Sequence, residues 1–235
     1  MDQTLRSKLA AVSVATLCTA LFKRGLSRQF IEDVHPVGQA GPMVGEAYTL
    51  RTIPAREDRN TIEAHKDPAH PQRAAIEACP PGAVLVIDSR RDAGGASGGD
   101  ILVARLMVRG CAGVVTDGGF RDSPEIAAMD IPAYHSKPCP PISLARHEAV
   151  EAQVPIGCGG APVFPGDVIV GDGEGVVVIP AHLAEKIADE ATEMTAYEDF
   201  VAEKVREGRP IIGLYPATTD EVRAEFASWR KAQGR

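Results

Sequence analysis

The sequence predicts an α/β fold, and three observations carry that prediction. Two continuous apolar runs, "AVLVID" at 83–88 and "AGVV" at 112–115, flank a glycine-rich stretch and a segment of helical periodicity. That is the order of a βαβ unit whose strands are buried on both faces. Another two apolar runs, in "FPGDVIVGDGEGVVVIP", are joined by a Gly/Asp turn and read as a β-hairpin. A long charged helix with an apolar stripe over 182–207 completes the pattern.

Taken in order, Ala10, Val14, Leu17 and Leu21 recur at helical spacing and predict one amphipathic N-terminal helix against the core. A loop around "HPVGQAGPMVG" leads to a strand in "EAYTLRTIPA", where Tyr48, Leu50 and Thr52 alternate with their neighbours. The polar, proline-punctuated stretch that follows holds a short helix over 72–78, which "PPG" ends. "RRDAGGASGGD" reads as a glycine loop, 100–109 as a helix, and "AGVVTDGGFRD" as one buried strand running into a glycine turn. "IPAYHSKPCPP" reads as a proline-rich loop, 152–179 as β-rich, and "GRPIIGLYP" as an exposed hydrophobic tail. The predicted organisation is one domain over 1–235, with an α/β core at 1–180 and a C-terminal helix and tail at 181–235 docking on a neighbouring subunit.

With 44% hydrophobic and 24% charged residues the chain has the balance of an ordinary globular protein. A net charge of −7 argues against a nucleic-acid surface, which needs clustered Lys and Arg. Cys18, Cys79, Cys111, Cys139 and Cys158 are odd in number and lack CxxC spacing, so neither a disulfide framework nor a thiolate zinc site is expected and a reducing cytoplasm fits. The N-terminal run "LAAVSVATLCTALF" falls short of the ~20 apolar residues of a membrane span. No membrane partner is expected.

The candidate chemistry centres on Asp100, Arg121 and Asp122. In the βαβ reading Asp100 opens a helix and Arg121-Asp122 follows the next strand, so all three reach the sheet edge where open α/β folds bind ligands. The plain alternative is a helix N-cap and a turn ion pair. Arg offers a bidentate fork for a carboxylate, and Asp is a hard oxygen ligand for Mg²⁺ or Mn²⁺. "GGASGG" lacks the P-loop ending and the dinucleotide order, and no glycine fingerprint for S-adenosylmethionine is evident. "GDGEG" is a hairpin turn rather than a calcium loop. The six histidines show no zinc spacing, and His65 and His70 read as solvated loop residues. Ser97 lies outside a nucleophile elbow.

Asp100, twenty intervening residues and Arg121-Asp122 form a D-x20-R-D signature. With "GVVTDGGFRD", "FPGDVIVGDGEGVVVIP" and "GLYP", the chain resembles the class II pyruvate aldolases that act on 4-hydroxy-4-methyl-2-oxoglutarate. It resembles equally the wider family named for the regulator of ribonuclease activity A, over about residues 9–216. The resemblance implies a β/β/α swivelling-domain (phosphohistidine-domain-like) fold with a long C-terminal helix, in homotrimers or homohexamers with active sites between subunits. It implies that Asp122 holds a divalent metal, Mg²⁺ or Mn²⁺, largely through water, that Arg121 binds pyruvate and stabilises its enolate, and that Asp100 orients Arg121. The backbone N–H groups of Ile101 and Leu102, after Gly99, would meet the pyruvate carboxylate. A basic residue after the motif corresponds to Lys137, in an unusual context, and a C-terminal acid reaching a neighbouring site to Glu198, with Glu193 and Glu203 as alternatives.

The expected function is therefore a metal-dependent lyase on a small 2-oxo acid, by retro-aldol cleavage of a 4-hydroxy-2-oxo acid or decarboxylation of oxaloacetate. Both reactions leave electrons on a pyruvate enolate, which one electrophilic site can stabilise. The alternatives are a non-catalytic regulator that binds a ribonuclease, or a sugar-acid aldolase or dehydratase using the same metal site.

Overall fold

The run at 83–88 lies at the middle of the main sheet, buried on both faces as its composition requires. The computed structural model describes residues 1–39 and 41–234. The helices are α1 (Gln3–Ala10), α2 (Val14–Phe22), α3 (Pro71–Ala78), α4 (Asp100–Val108), α5 (Ser123–Ala127), α6 (Ala184–Arg206) and α7 (Asp220–Ala232). The first strands are β1 (Phe30–Ile31), β2 (His35–Pro36), β3 (Met43–Pro54), β4 (Ala83–Asp88), β5 (Ala96–Gly98), β6 (Gly113–Thr116) and β7 (Gly119–Phe120). After them come β8 (Ala133–His135), β9 (Lys137–Pro138), β10 (His147–Ala152), β11 (Ile156–Cys158), β12 (Ala161–Val163), β13 (Val168–Asp172) and β14 (Gly175–Ile179).

The fold is mixed α/β. The main sheet runs β1-β14-β13-β3-β4-β6-β8-β2, with β3, β4, β6 and β8 parallel and β10 paired to the far half of β3. Residues 30–36 span both edges, because β1 pairs with β14 and β2 with β8. Successive side chains alternate between two apolar clusters: in β4, Val84 and Val86 face one that includes Val115, Ile169 and Val178, while Leu85 and Ile87 face another with Ile76, Val103 and Leu106. A third cluster packs α1, α2 and α6 on the other face of β13 and β14.

Several expectations are corrected. The N-terminal helix is two helices, bent by 102° between them. Ser13 caps α2, its Oγ accepting the Thr16 N–H at 3.1 Å, and Asp172 of the hairpin turn accepts the Val14 N–H at 2.8 Å. Burial of Leu9, Leu17 and Leu21 is worth roughly 2 kcal/mol each, more than the few backbone bonds lost at the bend. No single described helix is long and apolar enough to cross a membrane.

"AGVVTDGGFRD" is not one strand. After β6 the chain turns at Asp117, whose carboxylate accepts the N–H groups of Ser89, Arg91 and Gly159 at 2.7, 3.0 and 3.1 Å. The buried hydroxyls of Ser89, Ser97 and Thr116 lie 2.6–3.0 Å apart beside it. Three backbone donors and a hydroxyl knot hold the turn, and β7 leaves for a second sheet, β5-β7-β9, all parallel. β5 comes from the presumed glycine loop, and β8 and β9 from the presumed proline-rich loop. The hydrophobic tail is exposed at Ile212 but buried at Leu214, and α7, absent from the sequence reading, folds back so that Val222, Phe226 and Trp229 pack with Phe200 of α6. Much of the apolar stripe expected to meet another subunit is thus satisfied within the chain.

Candidate active site

The small sheet exists to aim one dipeptide. Phe120 is buried, its N–H donates to His135 Nδ1 at 3.2 Å, and its carbonyl accepts from the Cys139 N–H at 2.9 Å and the Ser123 hydroxyl at 3.0 Å. The next residue, Arg121, donates its backbone N–H to the Gly98 carbonyl at 3.1 Å, which brings it beside the start of α4. Asp122 then adopts a left-handed conformation, φ 56° and ψ 37°, which Asp tolerates better than most residues.

Gly99 is the reason Arg121 and Asp122 can close on α4. A Cβ there would lie 2.8 Å from Arg121 Cγ and 2.9 Å from Asp122 Oδ2. With glycine in place, Arg121 Nε donates to Asp122 Oδ2 at 3.1 Å, and both side chains stay partly open to solvent. Such an exposed pair adds little stability; its effect is to hold the guanidinium in one orientation.

Gly99, Asp100, Ile101, Leu102, Arg121 and Asp122 line one cleft of about 620 Å³. Asp100 shares the cleft with Arg121 without a hydrogen bond between them; the partner of Arg121 is Asp122. The amides of Leu102 and Val103 close the first turn of α4 on the Gly99 carbonyl, at 3.1 and 3.2 Å. Lys137, exposed on β9 beside Gly119, does not line this cleft. Glu198 lies elsewhere, on α6, where its carboxylate accepts from Thr16 at 2.8 Å and from Tyr215 at 3.5 Å. Glu193 pairs with Arg230 and Glu203 accepts from Trp229, both on α7.

The sequence model of the RraA-like family, described as Aldolase/RraA, matches residues 14–178. The chain belongs to that family. A Halalkalibacterium halodurans protein provisionally named 4-hydroxy-4-methyl-2-oxoglutarate aldolase is 30% identical over 190 residues, 80% of this chain and 82% of that protein. The 4-hydroxy-4-methyl-2-oxoglutarate aldolase of Thermus thermophilus is 30% identical over 150 residues, 64% of this chain and 90% of that one. Among solved structures, Streptomyces coelicolor RraAS2, described as an unusual member of the RNase ES inhibitor RraA protein family, has a TM-score of 0.76 and 31% identity. It covers 85% of this chain and 96% of that one.

The opposite wall of the cleft in this RraA-like chain comes from residues that sequence reasoning did not select. Ile62, His65, Gln72 and Arg73 lie on it, with Ile142, Ser143 and Leu144. His65 and His70 are not solvated loop residues: their rings are 3.9 Å apart, and both nitrogens of His65 and Nδ1 of His70 are buried with no hydrogen-bond partner. Burial first, then His70 and Arg73, lowers the His65 pKa to about 4, so the ring is neutral at neutral pH. Gln72 Nε2 donates to the Ser97 carbonyl at 2.8 Å and fixes α3 against β5. Asn60 Nδ2 donates to the carbonyls of Leu144 and His147 at 3.0 and 2.9 Å, joining the two segments of this wall. Nothing in the local pattern of that polar segment marks these contacts.

Proposed function

We propose that this RraA-like protein is a metal-dependent lyase that forms a pyruvate enolate from a 2-oxo acid. The observation that supports it best is the convergence of Asp100, Arg121 and Asp122 on one cleft at the start of α4, made possible by Gly99. The aldolase names of its relatives agree with that reading. The swivelling-domain description, a trimer or hexamer with Glu198 or another acid reaching a neighbouring cleft, and a cytoplasmic site of action belong to the same proposal.

The donor set suits Mg²⁺ or Mn²⁺. No group of three His, Cys, Asp or Glu poised for a metal is present among the described residues, but Asp100, Asp122 and Glu125 line the cleft with hard oxygen donors. A hydrated Mg²⁺ needs only one or two carboxylates because it keeps much of its water. Asp122 and Asp100 would hold the ion, which when bound supplies Lewis-acid polarisation of the 2-oxo group.

The chain's own residues do the rest. The free end of α4, at Gly99, Ile101 and Leu102, receives the substrate's 1-carboxylate, since helix N-termini present N–H groups and positive potential. The Leu102 N–H, bonded to Gly99 at 3.1 Å, can share that bond with the carboxylate. Arg121, held by Asp122, places a fixed charge where the enolate oxygen develops, so its stabilisation grows from ground state to transition state. In retro-aldol cleavage the C3–C4 bond breaks, its electrons enter the enolate and the 4-hydroxyl proton is lost. In oxaloacetate decarboxylation the same bond breaks with release of CO₂.

The test is pyruvate release from 4-hydroxy-4-methyl-2-oxoglutarate and from oxaloacetate, with Mg²⁺ or Mn²⁺ and with EDTA. Arg121→Ala and Asp122→Asn are each expected to lower turnover by at least about a hundredfold, the cost typical of removing one oxyanion-stabilising group. No metal-dependent turnover by the folded wild type on either compound would sink the lyase reading. The likeness to RraAS2 favours a second reading, a regulator that binds a ribonuclease. Binding of such an enzyme, unchanged in Arg121→Ala, would support it.

A further inference from the structure

The cleft is electrostatically two-ended. Asp100, Asp122 and Glu125 line it from α4 and α5 with Arg121, whereas Arg73 lines it from the start of α3. Arg121 is engaged by Asp122, but Arg73 has neither an ion pair nor a hydrogen bond among the described residues. An arginine left uncompensated on the wall of a substrate cleft is a ready partner for a carboxylate. Beside it His65 also lines the cleft, with both ring nitrogens buried and its ring 3.9 Å from that of His70.

We propose that Arg73 is a specificity residue of this cleft, taking the distal carboxylate of a 2-oxo diacid whose 2-oxo acid end lies at Arg121. The assignment rests on the lyase reading for the orientation of the substrate, but the recognition of a second carboxylate stands on the far wall alone. His65 cannot share the charge, because burial and Arg73 itself keep it neutral at neutral pH. Gln72, committed to Ser97, holds α3 so that Arg73 faces the cleft. The apolar residues Ile62 and Ile142 line the same cleft. They suit a carbon chain with charge at both termini.

The test uses two ligands of equal length, 2-oxoglutarate and 2-oxovalerate, titrated calorimetrically into the full-length protein with Mg²⁺. Wild type is expected to bind the diacid about tenfold more tightly than the monoacid, since the second carboxylate adds a charge-assisted contact that the monoacid lacks. Arg73→Gln should bring the two within about twofold by weakening only the diacid, and Arg73→Lys should restore part of the preference. Arg121→Ala should weaken both. Equal wild-type affinities, binding of neither acid, or an Arg73→Gln loss shared by both ligands overturns the assignment. Because this readout is binding, a protein that prefers the diacid through Arg73 yet releases no pyruvate would refute the lyase reading and leave the role of Arg73 intact.

Discussion

At the scale of single residues, Gly99 decides whether the site exists. Its backbone, φ −137°, is ordinary for any amino acid, so alanine brings no backbone strain. What the new Cβ meets is Arg121 Cγ and Asp122 Oδ2, both below 3.0 Å. Gly99→Ala is therefore expected to leave the melting temperature nearly unchanged while lowering turnover about tenfold or more, since small misplacements of a charged group are costly in catalysis. Undiminished turnover would show that Arg121 tolerates a different pose. The Asp100 and Arg121-Asp122 positions were legible in the sequence because a βαβ order carries both to one edge. Arg73, His65 and Asn60 were not, because Asn60 meets Leu144 and His147 across 84 and 87 residues, a separation that no local pattern encodes.

Among the elements, the apolar runs of β4, β6, β13 and β14 were readable because burial on both faces leaves continuous Val and Ile. The short strands β5, β8 and β9 were not. They are two or three residues long; β5 and β9 gain their pairing from β7 beyond the turn at Asp117 and β8 from β6 and β2, not from their own composition. For α7 the signal was present in Val222, Phe226 and Trp229, spaced four and three residues apart behind a Thr219 cap, and was masked by the charged residues between them. The two segments of this wall are joined by Asn60, by an Arg59–Glu148 ion pair and by the Ala55 N–H on the Arg146 carbonyl, all local to the wall, so failure there should be local. Asn60→Ala removes two hydrogen bonds and leaves two carbonyls without that donor, a cost of about 1–3 kcal/mol. Hydrogen exchange is expected to quicken around 55–70 and 142–147 with little change in the main sheet. Uniform loss of protection would assign Asn60 to the global core instead.

For the whole molecule, acid is the informative stress. His65 and His135 are both lowered to about 4, His135 chiefly by burial and then by His35. His135 also accepts the Phe120 N–H on Nδ1, a bond its protonation would break. Burial also lowers His70 and His147, in each case helped by a nearby arginine. A histidine whose folded pKa lies below its unfolded value of 6.5 binds fewer protons when folded, so stability falls as pH drops from about 6.5 toward 4. His135, nearly inaccessible, accounts for up to roughly 3 kcal/mol of that loss. Urea midpoints should be lower at pH 5 than at pH 7.5, and less so for His135→Gln; equal wild-type midpoints would mean that these rings are protonated without penalty.

Residues 30–36 clasp both margins of the main sheet at once, β1 on β14 and β2 on β8. At those two margins the outermost strands are only two residues long, so neither β14 nor β8 offers another chain a long unbroken row of amides and carbonyls. The same short segment is also the latch against fibrillar growth: displacing it would bare two hydrogen-bonding margins in a single event.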